Sequence, residues 1–435
     1  MQRYVFISFS IGVGAALVII IAISLGAFSA VATWLENLYL SQGILKVSSV
    51  ERYRWLEMLV VLAVSVGLAW CVIDVSQVAQ KILVFSCAIF LVLGLSPTMA
   101  LYGVLFEPFS SFGAGLLAAV GGFVFAGTER GMRKRVLEDV LGFRVSHSTF
   151  SQLLNAPEPP DFDGAVREVT VLTCRIFNHA EHREKLEAAD LMKMSNLFIR
   201  NVSTFLTSRG AYLDESGPEL VRVFFGMLQP DDEHAEKACR TALELQYRLK
   251  ALNQECETRW FQPLHYGIGI SSGPMTVGVY GAKEHYYFSG IGAETDFSRR
   301  LAHANLRYNS DLLIGPETYR LVQERFEFRP MEMFYDPEED VMIEIYQLLA
   351  ASDSFDEKER ERRDLFWQGV IYYREKKYEE ALTHLTRARI AGGGDEPVEF
   401  FIAQTQDALT ATEDGPKARS EQLTEDGHAR LISLM

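Results

Sequence analysis

Histidine and cysteine are the side chains of this sequence that most directly suggest metal or redox chemistry. The 435 residues include nine His and five Cys. The Cys residues form no C-x-x-C pair, and Cys71 and Cys87 lie inside apolar runs, which excludes a zinc module and a disulfide scaffold. His179 and His182 are three residues apart, but no carboxylate or Cys constellation accompanies them. We therefore predict that both are surface residues rather than metal ligands.

Charge is distributed unevenly along the chain. Residues 1–135 hold nine Lys and Arg against six Asp and Glu, so the net charge of −15 for the whole chain comes from residues 136–435. An acidic soluble part excludes a nucleic-acid partner, because phosphate binding needs Lys and Arg concentrated on a surface. The sequence thus divides into a membrane-like first third and an acidic, water-soluble remainder.

The elements that would position charged side chains in the soluble part follow an α/β pattern. The predicted order is a strand at 168–176, a helix at about 184–208, a hairpin after Gly210 that ends in the strand 220–225, a helix at 231–253, strands at 265–270 and 276–280, a helix at about 294–304 and a strand at 312–315. Ser271-Ser272-Gly273-Pro274 is predicted to turn between the two middle strands. The order β-α-β-β-α-β with additions predicts a ferredoxin-like fold.

Several motifs in this region resemble the class III adenylate/guanylate cyclase family. They are Asp232-Glu233-His234-Ala235-Glu236-Lys237-Ala238, Gly267-Ile268-Gly269-Ile270-Ser271-Ser272-Gly273-Pro274-Met275-Thr276-Val277-Gly278, Tyr286-Tyr287-Phe288-Ser289-Gly290-Ile291-Gly292, Arg300-Leu301 and Ile314-Gly315-Pro316-Glu317-Thr318-Tyr319. The resemblance covers about 167–349 and implies a cyclase-homology domain over that range.

The resemblance also implies a set of catalytic positions. Family cyclases use two Asp to hold two divalent metals on a nucleotide triphosphate, a Lys and an Asp/Thr-type residue to read the base, and an Asn and an Arg to stabilise the transferring phosphate. Such a reaction needs cations to neutralise the charge that develops on the phosphates. Carried over in that order, the positions fall on Arg175, Glu219, Glu215, Ser289, Asp296 and Arg300.

Only Arg300 matches the family pattern. A cation at position 175 repels Mg²⁺, and acids at 215 and 296 repel phosphate. Shifting the alignment by one residue would recruit Asp214 or Asp296 without restoring a pair of metal carboxylates. The resemblance therefore predicts a degenerate domain that holds neither metal nor cofactor.

Three alternatives stay open beside this interpretation. The chain could be a nucleotidyl cyclase with an unusual site, half of a heterodimer (family active sites lie between two chains), or a sensor that binds nucleotide without turnover. For the individual residues, Arg175 and Glu219 are predicted to form an ion pair at the former metal position. The plainer structural roles are a solvated turn for Asp214 and Glu215 and a helix N-cap for Asp296.

Four runs without charge predict four membrane-spanning helices, since about 20 apolar residues cross a bilayer. The runs are 4–35, 58–73, 82–106 and 108–128. The cluster Arg130-Gly131-Met132-Arg133-Lys134-Arg135 places the end of the last span in the cytoplasm, and four spans then place the N-terminus there too. A cleaved signal peptide ending at Ala30-Val31-Ala32 is the rival interpretation, but its apolar region exceeds the usual ~7–15 residues.

Three acids lie at the span ends, and we predict that Glu57, Asp74 and Glu107 are interfacial residues. Glu107-Pro108 also leaves open a re-entrant bend in place of the fourth span. Residues 36–55 are predicted to form a short extracytoplasmic segment. The membrane arrangement resembles bacterial cyclases that carry an extracellular sensor there, reduced in this chain.

The remaining segments flank the cyclase-like region. Residues 129–160 are predicted to form a stalk helix, from Glu129 to about Leu154, and a Pro-rich linker. Residues 364–410 resemble one tetratricopeptide repeat through Trp367, Gly369, Tyr372, Tyr378, Ala381, Leu385, Ala388 and Pro397. A single repeat does not bury its own face, so it must pack on the cyclase-like domain or on a partner. Residues 411–435 are predicted to be a flexible tail.

The fold class predicted for the whole chain is an α-helical transmembrane region (1–128), an α/β ferredoxin-like cyclase-homology domain (167–349) and a small all-α C-terminal repeat. The predicted location is a bacterial inner membrane, with the soluble domains in the cytoplasm. The predicted partners are membrane lipid, another cyclase-homology domain in a homo- or heterodimer, and a membrane protein complex. The predicted role is that of a scaffold, assembly factor or signalling pseudo-enzyme.

Overall fold

The computed structural model describes residues 2–45, 51–74, 78–128, 136–156, 162–282, 285–336, 341–390 and 394–413. It divides into two compact units, Met1–Asp139 and Val140–Met435. The first unit is helical, and the second is built on a mixed sheet.

Five helices precede residue 128 in the described part of the first unit. They are α1 (Gln2–Ser24), α2 (Ser29–Ser41), α3 (Arg54–Asp74), α4 (Val78–Leu101) and α5 (Pro108–Ala126). Four segments of the described chain are long and apolar enough to cross a membrane: Val5–Ser24, Arg54–Ile73, Gln80–Leu101 and Pro108–Ala126. The number of candidate spans therefore agrees with the four charge-free runs.

Two of the charge-free runs are longer than the helices that form within them. The run 4–35 holds two helices, because the chain turns after Ser24 with Gly26 at φ +80°. The run 82–106 ends as a helix at Leu101, and Gly103 follows at φ +78°. Absence of charge predicts where a chain can enter lipid, whereas glycines in the left-handed region decide where each helix ends.

The predicted extracytoplasmic segment begins inside α2 and packs against the end of α4. Leu35, Tyr39 and Leu45 form an apolar cluster with Ala100 and Leu105. The hydroxyl of Tyr39 lies 2.9 Å from the hydroxyl of Ser96, which donates to the carbonyl of Phe106 at 2.8 Å. Residues 46–50 of the segment lie outside the described residues.

Two of the three span-end acids are buried within the helical unit. Glu107 accepts hydrogen bonds from the backbone N–H groups of Phe109 (2.7 Å) and Ser110 (3.0 Å), so it caps α5, which starts at Pro108. Glu57 is also buried and lies 3.7 Å from the guanidinium of Arg52. Pro108 therefore begins a continuous helix of 19 residues, Pro108–Ala126. Asp74 ends α3, and nothing of its side chain is described.

The predicted stalk helix is interrupted. Residues 136–141 are helical, Gly142–Arg144 form a 3-10 turn, and a new helix, α6 (His147–Asn155), follows. Gly142 has φ +50°, and the Ser146 hydroxyl accepts from the backbone N–H of Thr149 at 3.1 Å as an N-cap. A residue in the left-handed region ends one helix, and the serine cap starts the next. The beginning of the predicted stalk, 129–135, lies outside the described residues.

The second unit contains an eight-stranded sheet with helices on both faces. The further elements are β1 (Ala165–Ile176), α7 (His179–Lys185), α8 (Ala188–Ser208), β2 (Tyr212–Ser216), β3 (Leu220–Phe225), α9 (His234–Trp260), β4 (Tyr266–Ala282), β5 (His285–Ile291), α10 (Ala293–Tyr308), β6 (Leu312–Ile314), α11 (Pro316–Val322), β7 (Phe326–Asp336), β8 (Val341–Ala351), α12 (Glu357–Arg374), α13 (Tyr378–Ala388) and α14 (Glu396–Glu413). The strand order is β2-β3-β1-β4-β6-β8-β7, and β5 pairs with β4. This is a mixed α/β fold with a helical region at its C-terminal end.

The predicted turn at Ser271–Pro274 is wrong, because β4 runs straight through it. β1 pairs with β4 along the whole range from Tyr266 to Val277, and Pro274 lies opposite Glu168. On its other edge β4 pairs with β6 only at 268–270 and with β5 only from Thr276 onward. Pro274 sits in the gap between these two partners. A proline, which lacks the N–H, is tolerated there without breaking the sheet.

The two faces of the sheet bury different helices. Leu312 and Ile314 join the core formed with α8 and α9, whereas Leu313 between them joins a second core with α10 and the C-terminal helices. Phe366 and Val370 of α12, Leu385 of α13 and Phe401 of α14 belong to that second core. The C-terminal helices therefore pack on the sheet domain. Packing on this domain or on a partner were the two arrangements predicted for them.

Candidate functional site

A cleft of about 460 Å³ opens where the β2–β3 hairpin, the end of β1 and the first turns of α10 meet. Four of the six predicted positions line it, and a fifth, Arg300, directly follows the lining residue Arg299. Its lining residues are Arg175, Glu215, Gly217, Pro218, Glu219, Leu220, Arg222, Thr295, Asp296 and Arg299. The sequence-predicted residues Arg175, Glu215, Glu219 and Asp296 are thus brought together in one place.

Strand alternation puts the arginines on the face of the sheet that α10 covers. In β3, Val221 and Val223 point into the core of α8 and α9, so Arg222 between them points the other way. In β1, Cys174 is in that core, whereas Thr173 contacts Ser298 of α10 through a 2.9 Å hydroxyl pair. Arg175 has the same parity as Thr173 and therefore lies on the α10 side.

A β-bulge aims Asp214 inward. The register of the β2–β3 hairpin shifts between Leu213 and Glu215, which leaves Asp214 as the extra residue. Its carboxylate accepts from Arg222 Nε at 2.8 Å and also from the hydroxyl of Ser289. The Asp214 side chain is only 6% exposed, so the prediction of a solvated turn residue is wrong for it. Glu215, half exposed, lies 3.0 Å from the same guanidinium.

The first turns of α10 hold a second set of ion pairs. Asp296 pairs with both Arg299 and Arg300, three and four residues further along the helix. Burial alone would raise the pKa of Asp296, but the hydrogen bonds and charges of these two arginines outweigh it and hold the pKa below its usual value. The N-cap of α10 is Gly292, so Asp296 lies inside the helix and the predicted capping role is wrong.

The predicted ion pair between Arg175 and Glu219 is wrong. Glu219 Oε1 lies 3.2 Å from Nδ1 of His179 instead. The register explains the difference, because Leu220 is opposite Arg175 and the backbone carbonyl of Glu219 accepts from the N–H of Ile176 at 2.8 Å. Glu219 therefore contacts His179 and forms no ion pair with Arg175, although both residues line the cleft. Arg175 lines the cleft without an ion pair within 4.0 Å or a hydrogen bond to any residue that the structure describes.

Other residues around the cleft differ from what their types suggested. His182 is buried rather than on the surface, and its Nε2 lies 2.9 Å from the carbonyl oxygen of Pro263. Arg222 is a site residue that the sequence prediction missed. A single cation within the apolar strand 220–225 indicates that an acidic side chain pairs with it. His179, also predicted to lie on the surface, has a side chain that is only 14% exposed and that lies against Glu219.

The arrangement is balanced in charge and poor in metal ligands. Three arginines and three carboxylates line the cleft, and most of them neutralise one another. Among the residues that the structure describes, no three His, Cys, Asp or Glu side chains converge so that they could hold a metal ion. The set is therefore one that can bind a small charged group.

Comparison with known proteins finds similarity to nucleotidyl cyclases over part of the chain. The sequence is 22% identical over 183 residues to adenylate cyclase 1 of Rhizobium meliloti, which is 42% of this chain and 28% of that protein. It is 21% identical over 193 residues to an adenylate cyclase of Anabaena cylindrica, which is 43% of this chain and 38% of the relative. The chain thus spans less than two fifths of either relative. No family model matches the chain.

Solved structures give a similar picture of the extent of the likeness. The guanylyl cyclase Cya2 aligns with a TM-score of 0.41 and 22% identity, over 44% of this chain and 97% of that chain. The adenylyl cyclase CyaB from P. aeruginosa aligns with a TM-score of 0.40 and 24% identity, over 45% of this chain and all of that chain. The sequence similarity supports homology to adenylate and guanylate cyclases over about two fifths of the chain.

Proposed function

We propose that this chain is a membrane-anchored cyclase-homology protein without cyclase activity, which acts through protein contacts. Its role would be that of a scaffold, an assembly factor or a signalling pseudo-enzyme. One observation carries the proposal: Arg175, a cation, lines the cleft at the position where the family resemblance places the first metal carboxylate. The residues around it support the same interpretation.

Two divalent metals do not fit the residues that are present. Glu219, at the second metal position, lies against His179. Glu215, at the position of the base-reading Lys, is neutralised by Arg222, and Asp296, at the Asn position, pairs with Arg300. The retained Arg300 is therefore engaged with a carboxylate of its own helix. Ser289, at the second base-reading position, donates to Asp214.

The purified full-length protein is expected to make no cyclic nucleotide from ATP or GTP with Mg²⁺ or Mn²⁺. The reason is that a cation, Arg175, stands at the first metal position and that Glu219, at the second, lies against His179, whereas a triphosphate needs metals to neutralise its charge. Chromatography of the cyclic nucleotide product tests this expectation, and an Arg300→Ala variant gives the background signal. Turnover that disappears in Arg300→Ala would show an active enzyme and overturn the proposal. Arg175→Asp is expected to stay inactive, because Glu219 remains turned to His179.

The partner that we propose first is a second cyclase-homology domain, from another copy or from a relative. One of the similar solved structures is a dimeric guanylyl cyclase domain. The mass of the detergent-solubilised protein, measured after mild crosslinking of native membranes, is expected to correspond to a dimer or a larger complex. A monomer alone would contradict this pairing.

We further propose a bacterial inner membrane as the location, with both termini in the cytoplasm. Gln42→Cys, at the end of α2, is then expected to react with an impermeant maleimide in intact cells, in a background in which Cys71 and Cys87 are serine. The matched control is Glu257→Cys on α9, which should react only after the cells are permeabilised. Reaction of Gln42→Cys only after permeabilisation would invert the proposed topology.

A further inference from the structure

One cation in the cleft has no counter-charge in the described part of the chain. Arg222 is shared between Asp214 and Glu215, and Arg299 is paired with Asp296. Arg175 lies on the same wall with neither an ion pair nor a hydrogen bond to a described residue. Glu219, its nearest candidate partner along the hairpin, is turned to His179. Among the arginines that line the cleft, Arg175 is therefore the one that no described carboxylate holds.

The charge of Arg175 acts inside the protein. Arg175 is a partly buried residue at the end of β1, and its charge reaches His303 of α10. The pKa of His303 is lowered, mainly because the ring is buried and further because of the positive charge of Arg175. A partly buried, unpaired guanidinium gains most from an anion that reaches it from the solvent side.

We propose that this cleft binds one oxyanion of a small molecule, a phosphate monoester or a carboxylate, on Arg175 and without a divalent cation. The planar guanidinium offers two parallel N–H donors to such a group, which is the strongest form of this contact. A cleft of about 460 Å³ lies within the ~300–1,000 Å³ that small-molecule sites occupy. The inference deepens the proposed function, because it gives the non-catalytic site a ligand.

The acids around the cleft limit which anions fit. Glu215, Glu219 and Asp296 also line it, and each repels a second negative group. A ligand with one anionic group is therefore favoured over a triphosphate, whose charge only added metals would neutralise. We expect inorganic phosphate and AMP to bind more tightly than ATP in the absence of metal.

Isothermal titration of the detergent-purified full-length protein in EDTA tests the site, with inorganic phosphate, AMP, ATP and acetate as separate probes. Wild type is expected to bind phosphate or acetate at one site with an affinity that excess Mg²⁺ leaves unchanged. Arg175→Gln should weaken binding at least tenfold. Arg175→Lys keeps the charge but loses the two parallel N–H donors, so its affinity should lie between those of wild type and Arg175→Gln. Phosphate alone, acetate alone or both will identify the group that the site accepts.

Two further variants control for the position of the charge. Arg259→Gln, on α9 and outside the lining of the cleft, removes a cation that pairs with Glu255, so the affinity of this variant should stay within threefold of wild type. Glu219→Gln removes a repelling carboxylate and should strengthen binding severalfold. Melting curves establish that each variant is folded.

Three outcomes would overturn the inference: no binding by wild type at millimolar phosphate or acetate, equal losses in Arg175→Gln and Arg259→Gln, or binding that requires Mg²⁺. Binding that requires Mg²⁺ would also favour an active cyclase over a protein without cyclase activity. Absence of binding would leave the turnover assay unaffected, so the two proposals can fail separately.

Discussion

Replacing Arg329 with methionine should loosen the C-terminal helices from the sheet domain. The Arg329 guanidinium, on β7, donates to both oxygens of Asp395 at 2.7 and 2.8 Å and to Gln347 at 2.7 Å, and it stacks over the Phe366 ring at 4.6 Å. The side chain is 6% exposed, and that of Asp395 is 22% exposed. Removing one partner of a buried pair costs about 3–5 kcal/mol, and the partial exposure of Asp395 places this case near the lower end.

Hydrogen exchange of α14 in the full-length protein measures the effect. A loss of about 3 kcal/mol corresponds to roughly 100-fold faster exchange for amides protected by docking of that helix. The matched control is Arg389→Ala, which removes a 2.5 Å pair with Glu399 between exposed side chains and should cost about 0–1 kcal/mol. Equal exchange in the two variants would show that apolar packing alone holds the helices.

A double variant separates the charge from the packing. Arg329→Met together with Asp395→Leu leaves no unpaired carboxylate, and apolar replacement of a buried pair is often close to neutral. We expect this variant to recover most of the protection that Arg329→Met loses. Failure to recover would assign the loss to the stacking on Phe366 and not to the ion pair.

Element type was predictable from the sequence where the periodicity was strong. The strand alternation around Cys174 and Val221 and the amphipathic pattern of α8 required only that apolar side chains be buried. The course of the chain at Gly273-Pro274 was not predictable, because two turn-forming residues normally end a strand. They are extended here because β6 and β5 pair with β4 on either side of Pro274 and leave a gap there. The position of this gap depends on strand pairing between distant parts of the chain, which a short stretch of sequence does not show.

The residues of the site were easier to find than their contacts. The family resemblance named Arg175, Glu215, Glu219 and Asp296 as positions of one site, and all four line one cleft. Which acid pairs with which arginine depended on the register of β3 and on the bulge at Asp214. A shift of one residue sends a strand side chain to the opposite face, so a contact prediction fails even when the strand prediction holds.

The glycines of the motif Gly267-Ile268-Gly269-Ile270 let α10 approach β4 closely. A Cβ added at Gly269 would lie 2.1 Å from the carbonyl oxygen of Ser298 and 2.3 Å from the backbone nitrogen of Ala302. Both atoms belong to the backbone of the helix, so no side-chain rotation relieves the clash. The helix that carries Asp296, Arg299 and Arg300 therefore sits at its present distance only because position 269 has no side chain.

Gly269→Ala should accordingly displace α10 and destabilise the sheet domain by about 3 kcal/mol, the upper part of the usual overpacking range. In a domain of this size that loss lowers the melting temperature by about 6–12 °C, which tryptophan fluorescence of the full-length protein can follow. The matched control is Gly217→Ala on the hairpin, where the nearest atom to the new Cβ is the Leu220 carbonyl oxygen at 3.6 Å, an ordinary contact. If the two variants melt alike, α10 can slide away from β4 at little cost. The geometry of the cleft would then depend on the hairpin and the ion pairs of α10 more than on helix packing.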